Sequence, residues 1–205
     1  EIEHLYIADG HHRCKSASRA AEQLRNEQNV FPGEAEFEYF PVVLFPMSQM
    51  KILPYNRVIK SVSEKKFNEI EKKFNLTQTD QKSPNEKGFI SIYYSGKWWN
   101  MTLPEATSDS ISSSLDVARL QDGFLNPEFG IENPRTDKNI SFVGGIRGTK
   151  ELEKLVDAGK FDLAISMYPT DILELLDVSD AGELMPPKST WFEPKIKSGL
   201  IVHTF

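Results

Sequence analysis

Residues 139–168 read NISFVGGIRGTKELEKLVDAGKFDLAISMY. Asn139 to Val143 has the β-branched and aromatic content of a strand, and the glycines from Gly144 to Gly148 break it. Thr149 to Ala158 carries the apolar spacing of a helix with Thr149 as its cap, and Gly159 closes it. Phe161 to Tyr168 is again strand-like. Strand, helix, strand over thirty residues predicts a βαβ unit, with parallel strands and a right-handed crossover.

Toward the C-terminus, Thr170 to Leu176 predicts a helix capped by Thr170. Residues 185–198 are irregular, and Leu200 to Thr204 predicts a last strand. Toward the N-terminus, Leu115 to Leu125 predicts a helix stopped by Asn126-Pro127. Phe89–Tyr94 and Lys97–Leu103 flank Ser95-Gly96 as a hairpin. Ser63 begins a helix to Phe74, with Phe67, Ile70 and Phe74 on one face. Residues 50–59 hold a short strand or turn around Pro54. Strands are further expected over residues 3–8 and 37–45, with a helix from His11 to about Asn29 between them. Strands and helices thus mix throughout, and the fold class is α/β in the broad sense, a mixed α+β chain. The Ser-rich stretch 105–114 is the expected linker, between a region 1–104 and a C-terminal α/β region 115–205 packed on the first.

The 205 residues are 39% hydrophobic and 26% charged, ordinary material for a globular chain with a core. No stretch approaches the about 20 apolar residues of a membrane helix. One cysteine leaves no internal disulfide, and no signal peptide is visible, so a cytoplasmic protein is expected. The chain starts at Glu1 rather than Met, which reads as a piece of something longer. Its net charge of -6 has no basic stripe to neutralise a phosphate backbone, so nucleic acid is not an expected partner.

The chemistry gathers at Asp9-Gly10-His11-His12-Arg13, between a strand and a helix. A helix N-terminus offers free N–H groups and a partial positive charge to anions. Arg13 adds a planar fork suited to phosphate. A histidine there can donate a hydrogen bond or move a proton, and Asp9 can hold a magnesium ion or orient a histidine. The same five residues also read as a cap, a turn and surface polar groups. Asn56-Arg57 and Lys188 are further candidates for contact with a phosphate or carboxylate. The Gly144–Gly148 loop has neither the P-loop nor the GxGxxG order, and it reads equally as a plain turn. Cys14 has no CxxC partner.

Taken together, LYIADGHHR at 5–13, ILPYNRVI at 52–59, LDVARL at 115–120 and MPPKSTWFEPKIKSGLIVH at 185–203 resemble the bacterial and archaeal family known as domain of unknown function 1015. Its usual members are about twice this length, so the resemblance implies a C-terminal half whose partner is the N-terminal half of the same protein. The strand–DGHHR–helix element is similar to that of the ParB/sulfiredoxin superfamily, whose loop and helix N-terminus bind nucleotide phosphates and which includes free-serine kinases. That similarity implies a cradle of Gly10, His11, His12 and Arg13 for ATP or ADP with Mg2+, and a catalytic role for Asp9 and His12. The position of the sulfiredoxin cysteine is His11 here. The serine kinases use a glutamate upstream of the motif, and only Glu1 and Glu3 stand upstream in this chain.

The expected function is a nucleotide-dependent phosphotransferase acting on a small hydroxylated metabolite, serine-like in class. Two alternatives use the same residues. One is a non-catalytic nucleotide-binding regulatory module; the other is a structural half that completes a site with the N-terminal portion.

Overall fold

A computed structural model describes residues 4–197 and 199–204; Glu1 and Glu3 lie outside the described residues. The chain divides into two compact units, Glu1–Lys51 with Phe192–Phe205, and Ile52–Trp191.

The smaller unit is built on α1 (His11–Gln28), which matches the predicted helix within one residue. Gly10 enters it at φ 90 and Asn29 leaves it at φ 54, both left-handed. The helix buries none of its residues. It is tied down by charge instead. Arg25 pairs with Glu38 of the 3-10 turn Glu36–Glu38, and Glu38 also accepts the Gly33 N–H. The expected strands over 3–8, 37–45 and 200–204 are absent from the described residues. A strand exists only through a hydrogen-bonded neighbour, and among the described residues these segments form no backbone ladder. Pro41 and Pro46 withdraw two donors besides. Val42, Val43 and Leu44 stand 52–64% exposed as a result.

The larger unit is a six-stranded sheet covered on both faces. After β1 (Lys51–Leu53), where the chain passes from the smaller unit, come β2 (Tyr55–Ile59), α2 (Glu64–Lys73) and β3 (Thr77–Thr79). The hairpin β4 (Phe89–Tyr94) and β5 (Lys97–Thr102) follows as predicted. Then come α3 (Ile111–Ser114), α4 (Asp116–Leu120), a π-helical turn Gln121–Leu125 and α5 (Asn126–Phe129). β6 (Ile140–Gly144), α6 (Gly148–Asp157), β7 (Leu163–Met167), α7 (Ile172–Asp180) and β8 (Trp191–Glu193) complete the order. The sheet runs β3-β5-β4-β7-β2-β6, and every neighbouring pair is antiparallel. The fold is mixed α+β.

Strand alternation sorts the core. Ile59, Ile90, Ile92, Leu163, Ile165 and Met167 face α2, α4 and the π-helical turn, packing on Phe67, Ile70, Leu120 and Phe124. Val58, Tyr93, Val143 and Ala164 face the other way, onto Leu152 of α6.

Several local expectations are corrected. β6 and β7 do point the same way across α6, but β2 is inserted between them and pairs antiparallel with both. The helix after Leu115 does not stop at Pro127. Proline is tolerated in a first turn, and α5 carries it there and ends at Gly130, φ 66. α6 starts at Gly148 with no side-chain cap, so Thr149 is not its cap. The cap of α7 is Asp171, in a capping box with Glu174, while the Thr170 hydroxyl donates to the Ser189 carbonyl. Residues 105–114 contain α3, capped by Ser110, within the larger unit. Among the described residues no helix is long and apolar enough to cross a membrane.

Glu128 of α5 joins α5 to α2. Its carboxylate, only 6% exposed, receives Lys66 Nζ at 2.8 Å and Lys73 Nζ at 2.5 Å. Desolvation raises its pKa, but the two ammonium groups outweigh that and hold it below the ordinary value. A depressed carboxylate pKa stabilises the fold above the unfolded pKa, and that contribution fades as pH falls through the folded value. Glu128→Gln should therefore cost about 1 kcal/mol at pH 7, and that cost should fade as pH falls below the ordinary glutamate range. Urea denaturation at pH 7 and pH 3.5 checks it; an equal deficit at both would show that the charge plays no part.

Candidate functional site

The Asp9–Arg13 element lies in the smaller unit. Asp9 Oδ1 accepts the Gly10 N–H at 2.8 Å, and Gly10 turns the chain at φ 90, where a side chain would be strained. The first bond of α1 runs from Cys14 N–H to the Gly10 carbonyl at 2.9 Å. The N–H groups of His11, His12 and Arg13 have no protein acceptor among the described residues, as the first turn of a helix dictates. The Arg13 guanidinium folds back over Gly10, so that a Cβ built there would stand 3.1 Å from Nη2 and 3.3 Å from Nε. His11, His12 and Arg13 are exposed and Cys14 is half-buried. Three donors and one planar cation thus share the start of an 18-residue helix.

Lys195, from the irregular C-terminal stretch, joins this element. Its Nζ donates to Asp9 Oδ2 at 3.0 Å across 186 positions of sequence. Partial burial raises the Asp9 pKa, but hydrogen bonds from Lys195 and Gly10 and the charges of Lys195 and Arg13 prevail and hold it below the ordinary carboxylate value. Asp9 is therefore ionised at neutral pH. Each of its oxygens accepts one hydrogen bond, one from Gly10 and the other from Lys195. Magnesium is usually held by one or two carboxylates together with substrate phosphates, and among the described residues no three His, Cys, Asp or Glu side chains gather as a metal cluster.

Asn56 and Arg57 sit in the larger unit, inside it. Asn56 is 2% exposed and its Oδ1 accepts the Met167 N–H at 3.0 Å. The β2–β7 ladder runs from Ile59↔Leu163 only to Arg57↔Ile165, and the Asn56 amide takes over where the backbones part. Arg57 is 3% exposed and donates to the carbonyls of Tyr55 and Lys188, the latter at 3.3 Å. Its head lies 5.5 Å from the Phe142 ring centroid. Burial alone lowers its pKa to about 10, so it stays charged. Lys188 is exposed at φ 58, with Nζ 5.2 Å over the Tyr55 ring. The Gly144–Gly148 loop owes two of its glycines to packing. A Cβ at Gly145 would meet Pro54 Cδ and O at 2.7 Å, and one at Gly144 would enter the Trp191 ring.

The family model described as "Protein of unknown function (DUF1015)" matches residues 1–118. The chain belongs to this family. No curated protein matches this DUF1015 chain. Solved structures do. It is similar to a free serine kinase in complex with AMP at 14% identity, over 91% of this chain and 66% of that one, with a TM-score of 0.47. It is similar to SbnI with C-terminal truncation from Staphylococcus aureus at 15% identity, over 96% and 65%, with a TM-score of 0.48. A conserved hypothetical protein from Pyrococcus furiosus matches at 16% identity, over 91% and 68%, with a TM-score of 0.43. The chain spans about two thirds of the length of these proteins.

Proposed function

We propose that the Asp9–Arg13 element binds the phosphates of a nucleotide, and that the protein is a nucleotide-dependent phosphotransferase acting on a small hydroxylated metabolite such as serine. The observation that carries this reading is the start of α1. Three N–H groups without protein acceptors and the Arg13 fork converge where the helix dipole favours an anion. Phosphoryl transfer rests mainly on positioning and on neutralising charge spread over the phosphoryl oxygens. Gly10, His11, His12 and Arg13 supply both. His12 hydrogen-bonds a phosphoryl oxygen, and the ionised Asp9 orients the acceptor from its place beside Lys195. The nucleotide is ATP or ADP, and its magnesium ion is carried by the phosphates. Asn56 and Arg57 are left to their structural work. A cytoplasmic location, where such nucleotides are held, belongs to the same reading.

Calorimetric titration with ADP tests it. One charged hydrogen-bonding group is worth about 1.5–3 kcal/mol, so Arg13→Ala should weaken ADP binding by about ten- to a hundredfold. Arg13 is exposed, and its removal leaves the fold intact. Unchanged ADP affinity in Arg13→Ala would end the cradle reading.

A second reading has its own observation. Leu5, Val42, Val43 and Leu44 are 52–67% exposed, on backbone that pairs with no described segment. Further polypeptide, expected as the N-terminal half of the same protein, then covers this apolar run and completes the site. Adding that half as a separate chain and finding no change in ADP affinity would remove this reading while leaving the first.

A further inference from the structure

The larger unit has a groove of about 530 Å³ beside the edge strand β6, lined by Tyr55, Phe142, Trp191, Arg135, Asp137 and Lys188 among others. A volume of this size suits a small organic ligand. Its walls are aromatic. The Tyr55 ring meets Trp191 at 5.3 Å and 64°, and Phe142 at 6.3 Å and 87°. Its lining charge is positive on balance, two cations against one carboxylate. Lys188 and Arg135 are exposed cations, whereas Asp137 already accepts the Asn139 N–H at 2.7 Å.

Behind the wall stands Arg57. It touches three of the lining residues, through the Tyr55 carbonyl, the Lys188 carbonyl and the Phe142 ring. Among the described residues no carboxylate lies within ion-pair distance of it. A buried charge is normally paired. This one is left to act on what lies outside, through a low-dielectric wall that screens it little. It also fixes the cation beside it. Lys188 keeps a left-handed backbone, φ 58, that a non-glycine residue holds only when its surroundings impose it. The Arg57 bond to its carbonyl and the neighbouring Ser189, which bonds the Pro186 carbonyl at 2.6 Å and accepts from Thr170, impose it here.

We propose that this groove is a second ligand site, which takes a ring-bearing anion of the size of a nucleoside monophosphate. The ring stacks among Tyr55, Phe142 and Trp191, and the anionic group meets Lys188 and Arg135 over the field of Arg57. The site lies wholly within the larger unit and does not depend on the Asp9–Arg13 cradle. Arg57 is a positioning residue, not a contact.

The test follows tryptophan fluorescence of the full chain while AMP is added. It is done in an Arg13→Ala background, so that failure of the cradle reading and failure of this one are told apart. AMP should quench the emission with a Kd below about 1 mM. The quench should vanish in Trp191→Phe, and Lys188→Glu/Arg135→Glu should weaken it by about tenfold or more. Adenosine and inorganic phosphate, each alone, should bind at least about tenfold more weakly than AMP. No quench in the Arg13→Ala protein, an unchanged affinity in the charge-reversed protein, or adenosine binding as tightly as AMP would each overturn the proposal. Both reversed residues are exposed, so an unaltered melting temperature accompanies the expected loss.

Discussion

Gly144→Ala should lower the stability of the larger unit by about 3 kcal/mol, at the upper end of what overpacking costs. Gly144 ends β6, opposite Tyr55 of β2, at φ -61 and ψ 137, a conformation open to alanine. Backbone strain is thus not the cause. The cause is Trp191, three of whose ring carbons would stand within 2.8 Å of the new methyl. Neither side can yield cheaply. The glycine is buried and held in the β2–β6 ladder, and the indole is backed by the Tyr55 ring at 5.3 Å. Urea denaturation should show an earlier midpoint with an unchanged slope. A loss under about 0.5 kcal/mol, the scatter of ordinary surface substitutions, would show that the indole moves freely. This glycine serves the close approach of a ring, and no anion is needed to explain it.

Phe124→Ala should cost about 4 kcal/mol. Phe124 is fully buried in the π-helical turn. Its ring meets Phe74, beyond the end of α2, at 5.1 Å and 81°, and Phe129 of α5 at 5.5 Å and 78°. These edge-to-face contacts add to the area that the ring removes from water. Truncation leaves a cavity between helices anchored by Glu128 and the Ser63 cap, which limits collapse. For a unit of this size, about 4 kcal/mol corresponds to a fall in melting temperature of about 10 °C. Phe124→Leu, which keeps most of the volume, should lose about 1.5 kcal/mol or less. Equal losses in the two variants would mean that ring geometry, not volume, sets the cost.

The two variants also mark what could be read from residue order. The π-helical turn carrying Phe124 belongs to a helix legible as Leu115–Leu125, because apolar spacing reports a buried face directly. α2 and the β4–β5 hairpin are legible for the same reason, as is the start of α2 at Ser63; α1 is legible too, although it buries none of its residues. β3 was missed: Thr77–Thr79 is short and polar, and it is a strand only because β5 offers an edge. The strands expected over 3–8 and 37–45 failed for the converse reason. Their composition suits a strand, but no described neighbour completes the ladder.

For the candidate site, residue order by itself determined the phosphate-suited element Asp9–Arg13, since helix start, glycine turn and arginine are local facts. It also determined the mixed α+β class and the membership of lysines, arginines and aromatics available for binding. Only the tertiary structure decided which of them meet. It put Lys195 on Asp9, buried Asn56 at the end of the β2–β7 ladder, and set Arg57 behind the groove of Tyr55, Phe142 and Lys188. It also inserted β2 between β6 and β7. The physical reason is common to all four. Hydrogen-bond ladders and ion pairs act over a few ångströms of space, and the side-chain partners here are 111 to 186 positions apart in the chain, from Asn56 and Met167 to Asp9 and Lys195. Periodicity reports the face a residue turns inward; it carries no record of what waits there.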